Sequence, residues 1–317
     1  MIVSSSNEIT EYHCNSIYQQ TGETVHVFAN MEEIPLAVRR EATILLTYGN
    51  DLTASTLDTF KNLHWIQMLS VGLDDLPFER LHKRGILVTH AKGIHVVPMS
   101  EYVLGTMLYF EKHFDRFLLN QRKRQWDRDT LVGELHQNSV LVFGTGVIGK
   151  EIAKKCKLFG MMVDGVNTSG REVEPFDSVF ALDVAQSKLK DYSYIVIILP
   201  LTSDTYHLFS KEMLQQLHPN AVLINVGRGG IMDEEELYRI LADKRIRGAA
   251  LDVYKQEPLP KEHKFWELDN VLLTQHMSAK SNRYVDRCVD IFIENIKQYK
   301  HKQDRRLVNL VNLEKQY

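Results

Sequence analysis

Arg228, Glu257 and His276 are residue types that together carry out proton and hydride chemistry. Each stands shortly after an apolar run that reads as a strand: AVLINV, GAALDV and VLLT respectively. Ligands gather at strand ends in open α/β sheets. The fixed fork of Arg228 can grip a carboxylate and polarise a keto oxygen. Histidine changes charge near neutral pH, so His276 can give a proton to that oxygen as hydride arrives and take it back in reverse. Glu257 can hold the second ring nitrogen and favour the imidazolium. Reversible hydride transfer to a small 2-keto acid needs this set. Taken singly, each residue has a duller explanation: a surface ion pair for Arg228, a structural histidine for His276, a turn cap for Glu257 beside Pro258. Their shared placement downstream of a dinucleotide loop favours the functional reading.

That loop is GTGVIG, comprising Gly144, Thr145, Gly146, Val147, Ile148 and Gly149, directly after the run VLVF and before the helical pattern KEIAKKCKLF. The first glycine permits a tight turn, the second lets backbone approach a pyrophosphate, and the third lets helix and strand pack closely. The helix N-terminus offers unpaired N–H groups and partial positive charge to phosphates. The next strand reads MMVDGVN and is followed by TSGR. An acid at its tip would bind the adenosine ribose of NAD, but the tip residue is Asn167. With Thr168, Ser169 and Arg171 it supplies hydroxyls and a guanidinium suited to the extra phosphate of NADP. NADP is therefore the expected cofactor, and Asp164, 20 residues past Gly144, keeps NAD as the alternative.

Positioning these residues requires a layered α/β scaffold. Short apolar runs alternate with helical patterns at 25–28, 43–48, 65–69, 86–89, 140–143, 194–199, 221–226, 248–253 and 271–274. Runs apolar on both faces indicate buried parallel strands. Between the first four and the last five lies VPMSEYVLGTMLYFEKHFDRFLLNQRKRQW, whose apolar residues from Val103 to Leu118 recur at helical spacing. They suit either a core helix or one packed against another domain or subunit. Asp233 and Glu236 read as a capping box. A final helix is expected over 284–300, ending in basic Lys297, Lys300, Lys302, Arg305 and Arg306, a solvated face.

Length sets two domains as the prior, with 317 residues in all, 44% hydrophobic and 25% charged. A net charge of −3 offers no field for nucleic acid or an anionic membrane. Cys14, Cys156 and Cys288 have neither disulfide nor metal spacing and read as reduced core thiols, so no metal is expected. The longest apolar stretch, Ile195 to Leu199, is far too short to span a bilayer, and the N-terminus lacks a signal pattern. A cytoplasmic protein is expected.

The chain resembles the D-isomer specific 2-hydroxyacid dehydrogenase family through SVGLDDL, AKGIHVVPMSEYVLGTML, GTGVIGKEIA, LPLTSDTYHL, NVGRGGIMDEEEL, ALDVYKQEPLP and the His276 segment. The order and spacing of these segments extend the likeness over nearly the whole chain. The resemblance implies two doubly wound parallel-sheet domains: a Rossmann domain at 99–280 inserted into a flavodoxin-like substrate domain at 1–98 and 281–317. It puts Arg228, Glu257 and His276 in the catalytic positions, with Arg228, His276 and the backbone of Val71 and Gly72 as substrate contacts. Leu199, Pro200, Val226, Gly227 and Asp252 join the cofactor set, while Tyr48, Gly49, Lys92 and His95 are candidates to line the pocket. A homodimer through the region from Pro98 to Leu119 is also implied. Gln275 stands where the family commonly has proline, and Met277 and Ser278 replace the usual isoleucine and small residue. Asn167 makes the chain similar to the NADPH-using glyoxylate/hydroxypyruvate reductases. The alternative is a dinucleotide-sensing binding protein of the corepressor type. A formate dehydrogenase fits less well, since that family has glutamine where Glu257 stands.

Overall fold

A computed structural model describes every residue except Asp74, 302–305 and 315–317, so Lys302 and Arg305 of the basic segment lie outside the described residues. The chain divides into two compact units, Met1–Ile94 with Ser281–Tyr317, and His95–Lys280.

The first unit carries five strands: β1 (Ile2–Ser4), β2 (Val25–Val27), β3 (Ile44–Thr47), β4 (Trp65–Met68) and β5 (Leu87–Thr89). All pair in parallel, in the order β2-β1-β3-β4-β5, which is the flavodoxin-like winding. Alternate residues feed opposite cores. Val3, Leu45 and Ile66 face one layer, whereas Ile2, Ile44, Leu46 and Trp65 face the other with Val289, Phe292, Ile293 and Ile296 of the helix Tyr284–Lys300. That helix runs over the residues expected for it. Asn295, fully buried, hydrogen-bonds the Val308 carbonyl and amide and so ties the helix to the segment that follows it.

The second unit holds seven parallel strands: β6 (Ser139–Phe143), β7 (Met162–Asn167), β8 (Val179–Ala181), β9 (Tyr194–Ile197), β10 (Val222–Asn225), β11 (Gly248–Leu251) and β12 (Val271–Leu273). Their order is β12-β11-β10-β9-β6-β7-β8, the Rossmann arrangement, in which the winding reverses between β6 and β9. Period-two alternation again fills both faces. Leu141, Phe143, Ile195, Ile197 and Leu223 enter one core, and Val140, Val142, Tyr194, Val196 and Ile224 enter the other.

The long apolar segment is two helices, Val96–Glu111 and Phe114–Lys123, separated where His113 takes a left-handed φ of 51°. Val103, Met107 and Phe110 of the first helix are buried in the second unit's own core, which settles the core alternative for that half. Phe114, Phe117, Leu118 and Leu119 on the second are exposed. The capping box forms by half. The Asp233 side chain accepts from the Glu236 amide at 3.1 Å, but the Glu236 carboxylate turns instead to Gln215 and Arg239. Cys156 and Cys288 are buried free thiols, whereas Cys14 is only half-buried. No helix among the described residues is long and apolar enough to cross a membrane, and no group of three or more potential metal ligands occurs among them.

Candidate active site

Parallel pairing sends every strand's C-terminal end to the same edge of its sheet, and the turns after β6, β7, β9, β10, β11 and β12 carry most of the second unit's candidate residues. After β6, Gly144 adopts a φ of +117°, which side chains disfavour. A Cβ on Gly149 would lie 2.0 Å from the Gly144 carbonyl oxygen, so the helix Val147–Leu158 can begin this close to the strand only with glycine there. Gly146, by contrast, caps that helix with nothing within 4 Å of a Cβ position. It leaves an open backbone cradle at a helix N-terminus, which fits a pyrophosphate.

Asn167 ends β7 and organises the turn beyond it. Its Nδ2 donates to Thr145 Oγ1 at 3.2 Å and to the Arg171 carbonyl at 2.9 Å, and its Oδ1 accepts from the Ser169 amide at 3.1 Å. Thr168, Ser169 and Arg171 are exposed, and Arg171 makes no ion pair with a described residue. Asp164, the residue expected to serve NAD, is committed elsewhere: its carboxylate accepts from the Ser178 amide at 2.8 Å and from the Tyr192 hydroxyl at 2.6 Å.

Arg228 follows β10 in a turn built by Asn225, a fully buried polar side chain that sequence reasoning passed over. Asn225 Oδ1 accepts from the Gly227 amide, and its Nδ2 donates to the Arg228 carbonyl. A Cβ on Gly227 would meet the Leu199 carbonyl at 2.6 Å, and one on Gly229 would meet Tyr254 backbone at 1.9 Å. The Arg228 turn is thus pressed between the turns after β9 and β11. Val226 and Gly227 are buried, Leu199 is half-buried, and Pro200 and the Arg228 side chain are exposed.

The turn after β11 presents Glu257. Its Oε1 accepts from the Tyr254 amide at 2.9 Å, and its Oε2 lies 2.8 Å from His276 Nδ1. Burial pushes the Glu257 carboxyl up, but the His276 hydrogen bond, the Tyr254 amide and the Arg228 charge outweigh it and hold the group below its ordinary value. Because Nδ1 faces Glu257, Nε2 points away from the carboxylate. His276 itself has a φ of 53°, a conformation that costs free energy in a residue with a side chain and persists only where its surroundings impose it.

Asp252 imposes it. Expected among the cofactor contacts, this residue is fully buried and its carboxylate is taken up by the His276 loop, accepting from Thr274 Oγ1, from the Met277 amide at 2.8 Å and from the Ser278 amide at 2.9 Å. Its carbonyl accepts the His276 amide at 2.9 Å. Asp252 therefore positions the loop. Tyr254 adds a second tie, its hydroxyl donating to the Leu251 and Thr274 carbonyls. A cavity of about 430 Å³ lies against this pair, lined by Tyr254, Pro258, Leu259, Trp266 and Gln275 as well as Glu257 and His276.

The first unit carries the other candidates. The Val71 carbonyl faces His90 Nδ1 at 3.0 Å, and Ser70 Oγ donates to the Gly72 and Tyr48 carbonyls. Tyr48, Gly49, Gly72 and Ser70 line a small cavity of about 160 Å³ with Met68, Asp75 and others. Lys92 is exposed, and His95 belongs to the second unit, with Nδ1 against the Ala279 carbonyl.

Residues 104–278 match the family model for D-isomer specific 2-hydroxyacid dehydrogenases, NAD binding domain. A glyoxylate reductase of Thermofilum pendens is 31% identical over 271 residues, covering 84% of this chain and 80% of the relative. A D-3-phosphoglycerate dehydrogenase of Methanocaldococcus jannaschii is 29% identical over 301 residues, 94% of this chain but only 57% of the relative's own length. Among solved structures, a D-isomer specific 2-hydroxyacid dehydrogenase family protein from Aeromonas salmonicida is 30% identical with a TM-score of 0.80, covering 98% of both chains. The chain belongs to the D-isomer specific 2-hydroxyacid dehydrogenase family, oxidoreductases acting on the CH–OH group of donors with NAD(P).

The two glycines of the loop should separate folding from binding. Gly149→Ala places a methyl group against the Gly144 carbonyl and should cost about 1–3 kcal/mol of stability, read by denaturant unfolding. Gly146→Ala should keep stability within about 1 kcal/mol and weaken the nicotinamide cofactor, read by fluorescence titration.

Proposed function

We propose that this chain reduces a small 2-keto acid, of the glyoxylate or hydroxypyruvate type, to the D-2-hydroxy acid with NADPH. The observation that carries the reading is the 2.8 Å contact of Glu257 with His276 Nδ1, beside an Arg228 turn pressed against the backbone of the Glu257 turn. When bound, the nicotinamide supplies the hydride that adds to the keto carbon. Arg228 grips the substrate carboxylate with two donors and draws charge onto the keto oxygen. His276 delivers the proton to that oxygen from Nε2, while Glu257, held by the Tyr254 amide, fixes the ring and stabilises its positive charge until the proton leaves. In the oxidative direction the neutral ring takes the same proton back. The family likeness supports Val71 and Gly72 amides as further carboxylate contacts. A cytoplasmic setting goes with the proposal.

Cofactor preference follows from the tip of β7. An Asn167 that is committed to the loop, an Asp164 already bonded by Ser178 and Tyr192, and an exposed Arg171 favour a phosphate over a bare ribose. The catalytic efficiency with NADPH should exceed that with NADH, and Arg171→Ala should weaken NADPH while leaving NADH unchanged. Equal or better use of NADH by the parent enzyme overturns the preference.

A panel of 2-keto acids followed by loss of NADPH absorbance tests the activity itself, and tight cofactor binding without turnover would favour a dinucleotide sensor instead. His276→Ala should lower kcat by about 10²-fold or more while leaving cofactor affinity nearly unchanged. The Glu257 carboxyl is held below its ordinary value despite its burial, so it stands as a charge beside the ring throughout the neutral range. Glu257→Gln keeps the size of the side chain but removes that charge, and should lower kcat about tenfold or more with cofactor affinity nearly unchanged. A kcat left at the parental value reduces Glu257 to a turn cap.

Pairing into a homodimer is also proposed, through Phe114–Lys123 rather than Val96–Glu111, because Phe114, Phe117, Leu118 and Leu119 are exposed on the former whereas of the large apolar side chains on the latter Val97 alone is. Light scattering at micromolar concentration should give twice 36.7 kDa, and a persistent monomer mass would refute the pairing.

A further inference from the structure

Tyr102 lies on the helix Val96–Glu111, one residue before Val103 of the buried face, and its hydroxyl meets Thr274 Oγ1 at 2.7 Å. The direction of that bond follows from what lies beyond it. The Asp252 carboxylate accepts at both oxygens from the His276 loop, so Thr274 must give its one proton to Oδ1. Thr274 Oγ1 can then only accept from Tyr102. The result is one line of donors, from the half-buried Tyr102 and Thr274 to the buried Asp252, ending on the carboxylate that also holds the Met277 and Ser278 amides. Burial pushes the Tyr102 phenol up to about 12, so the group at the head of the line keeps its proton throughout the neutral range.

We propose that Tyr102 is a positioning residue for His276, acting through Thr274 and Asp252 on the left-handed backbone that aims the imidazole. This rests on the reading of His276 as the proton donor. The backbone conformation at His276 is costly and must be imposed, and the residue imposing it is a carboxylate whose two oxygens are each held by a loop amide, Oδ1 by Met277 and Oδ2 by Ser278. Those two amides belong to the loop and move with it. Thr274 pins the carboxylate from the strand, and the Thr274 hydroxyl is itself oriented only if something donates to it. Tyr102 supplies that donor from a helix anchored in the core by Val103, Met107 and Phe110, and so refers the catalytic loop to the rigid part of the unit. The ring of Tyr102 belongs to the core whatever the hydroxyl does, which makes Tyr102→Phe a clean removal of the bond with little change in packing. Tyr254 stands close by, but its hydroxyl serves the Leu251 and Thr274 carbonyls and cannot replace the missing donor.

Tyr102→Phe should leave the melting temperature and the cofactor dissociation constant near those of the parent. It should lower kcat for keto-acid reduction about fivefold, the worth of one ordinary hydrogen bond, without a matching change in KM, and move the pH at which reduction falls off. Thr274→Val should lower kcat at least as much, with some loss of melting temperature because it also removes a donor to the buried Asp252, and the double variant should be no worse than the poorer single one, because the two groups act in series. Thr274→Ser, which restores a hydroxyl, should recover most of what Thr274→Val loses. The His276 ring N–H resonance, followed by NMR in parent and Tyr102→Phe protein, gives a readout independent of turnover and should shift or broaden in the variant. Parental kcat, pH profile and ring resonance in Tyr102→Phe overturn the proposal. So does a loss of kcat that tracks a loss of melting temperature while profile and resonance stay put. If the parent enzyme reduces no keto acid, the functional reading fails on its own, and the ring resonance still decides whether Tyr102 positions His276.

Discussion

Asp252 is a carboxylate without access to water, and a buried charge left unpaired would cost several kcal/mol. All three donors to its side chain come from the segment running from Thr274 to Ser278, and its own carbonyl takes the amide of His276. The dependence is mutual. The loop could leave its strained conformation only by orphaning a buried carboxylate, and the carboxylate could stay buried only with the loop in place. A His276 with φ of 53°, the proposed proton donor, is thereby made the cheaper of two unfavourable states. The fold's stability and the aim of the imidazole are then secured by the same four hydrogen bonds.

The same edge of the sheet shows a second form of mutual constraint, carried by backbone. Strands β11, β10, β9 and β6 are neighbours in that order, so the turns that leave them are neighbours too. A Cβ on Gly144 would run into the Ile198 side chain, one on Gly227 into the Leu199 backbone, and one on Gly229 into the backbone of Tyr254 and Lys255. The turns after β9, β10 and β11 lean on one another without a side chain between them. Arg228 therefore inherits its place relative to Glu257 from backbone contact, which has fewer soft degrees of freedom than contact through long side chains. The proposed site, which would have to align a carboxylate grip with a proton donor, gains from having its spacing set this way.

Much of this was legible in the residue order, because buried parallel strands write themselves as short runs apolar on both faces. Ten strands are visible on those terms, including MMVDGVN. Ile2–Ser4 and Val179–Ala181 are not, since three residues cannot display a period, and each is recognised only by its pairing with β3 and β7. The spacing of apolar residues through Phe117 and Leu118 hid the break at His113, because a one-residue left-handed turn barely disturbs the periodicity. The glycine loop and the contact of Glu257 with His276 follow from residue types at strand ends. The loop-holding bonds of Asp252 and Asn225 were not legible, because a polar residue at the end of a strand reads as a ligand contact or goes unremarked. Only the three-dimensional count of donors shows that the bonding of both is internal.

The tip of β7 shows how one side chain can settle two matters. Asn167 donates to Thr145 and to the Arg171 carbonyl with one end and accepts from the Ser169 amide with the other. An aspartate in its place could accept from the Ser169 amide and the Thr145 hydroxyl but would turn a negative oxygen toward the Arg171 carbonyl, which only a donor can satisfy. The TSGR turn in this shape therefore requires a neutral donor at that position. The absence of an acid at the tip of β7 and the presentation of Arg171 are then consequences of one local requirement. Asp164 cannot restore the charge, since both of its oxygens already serve Ser178 and Tyr192. The electrostatics at this end of the nucleotide cradle are set by how the loop closes, before any ligand arrives.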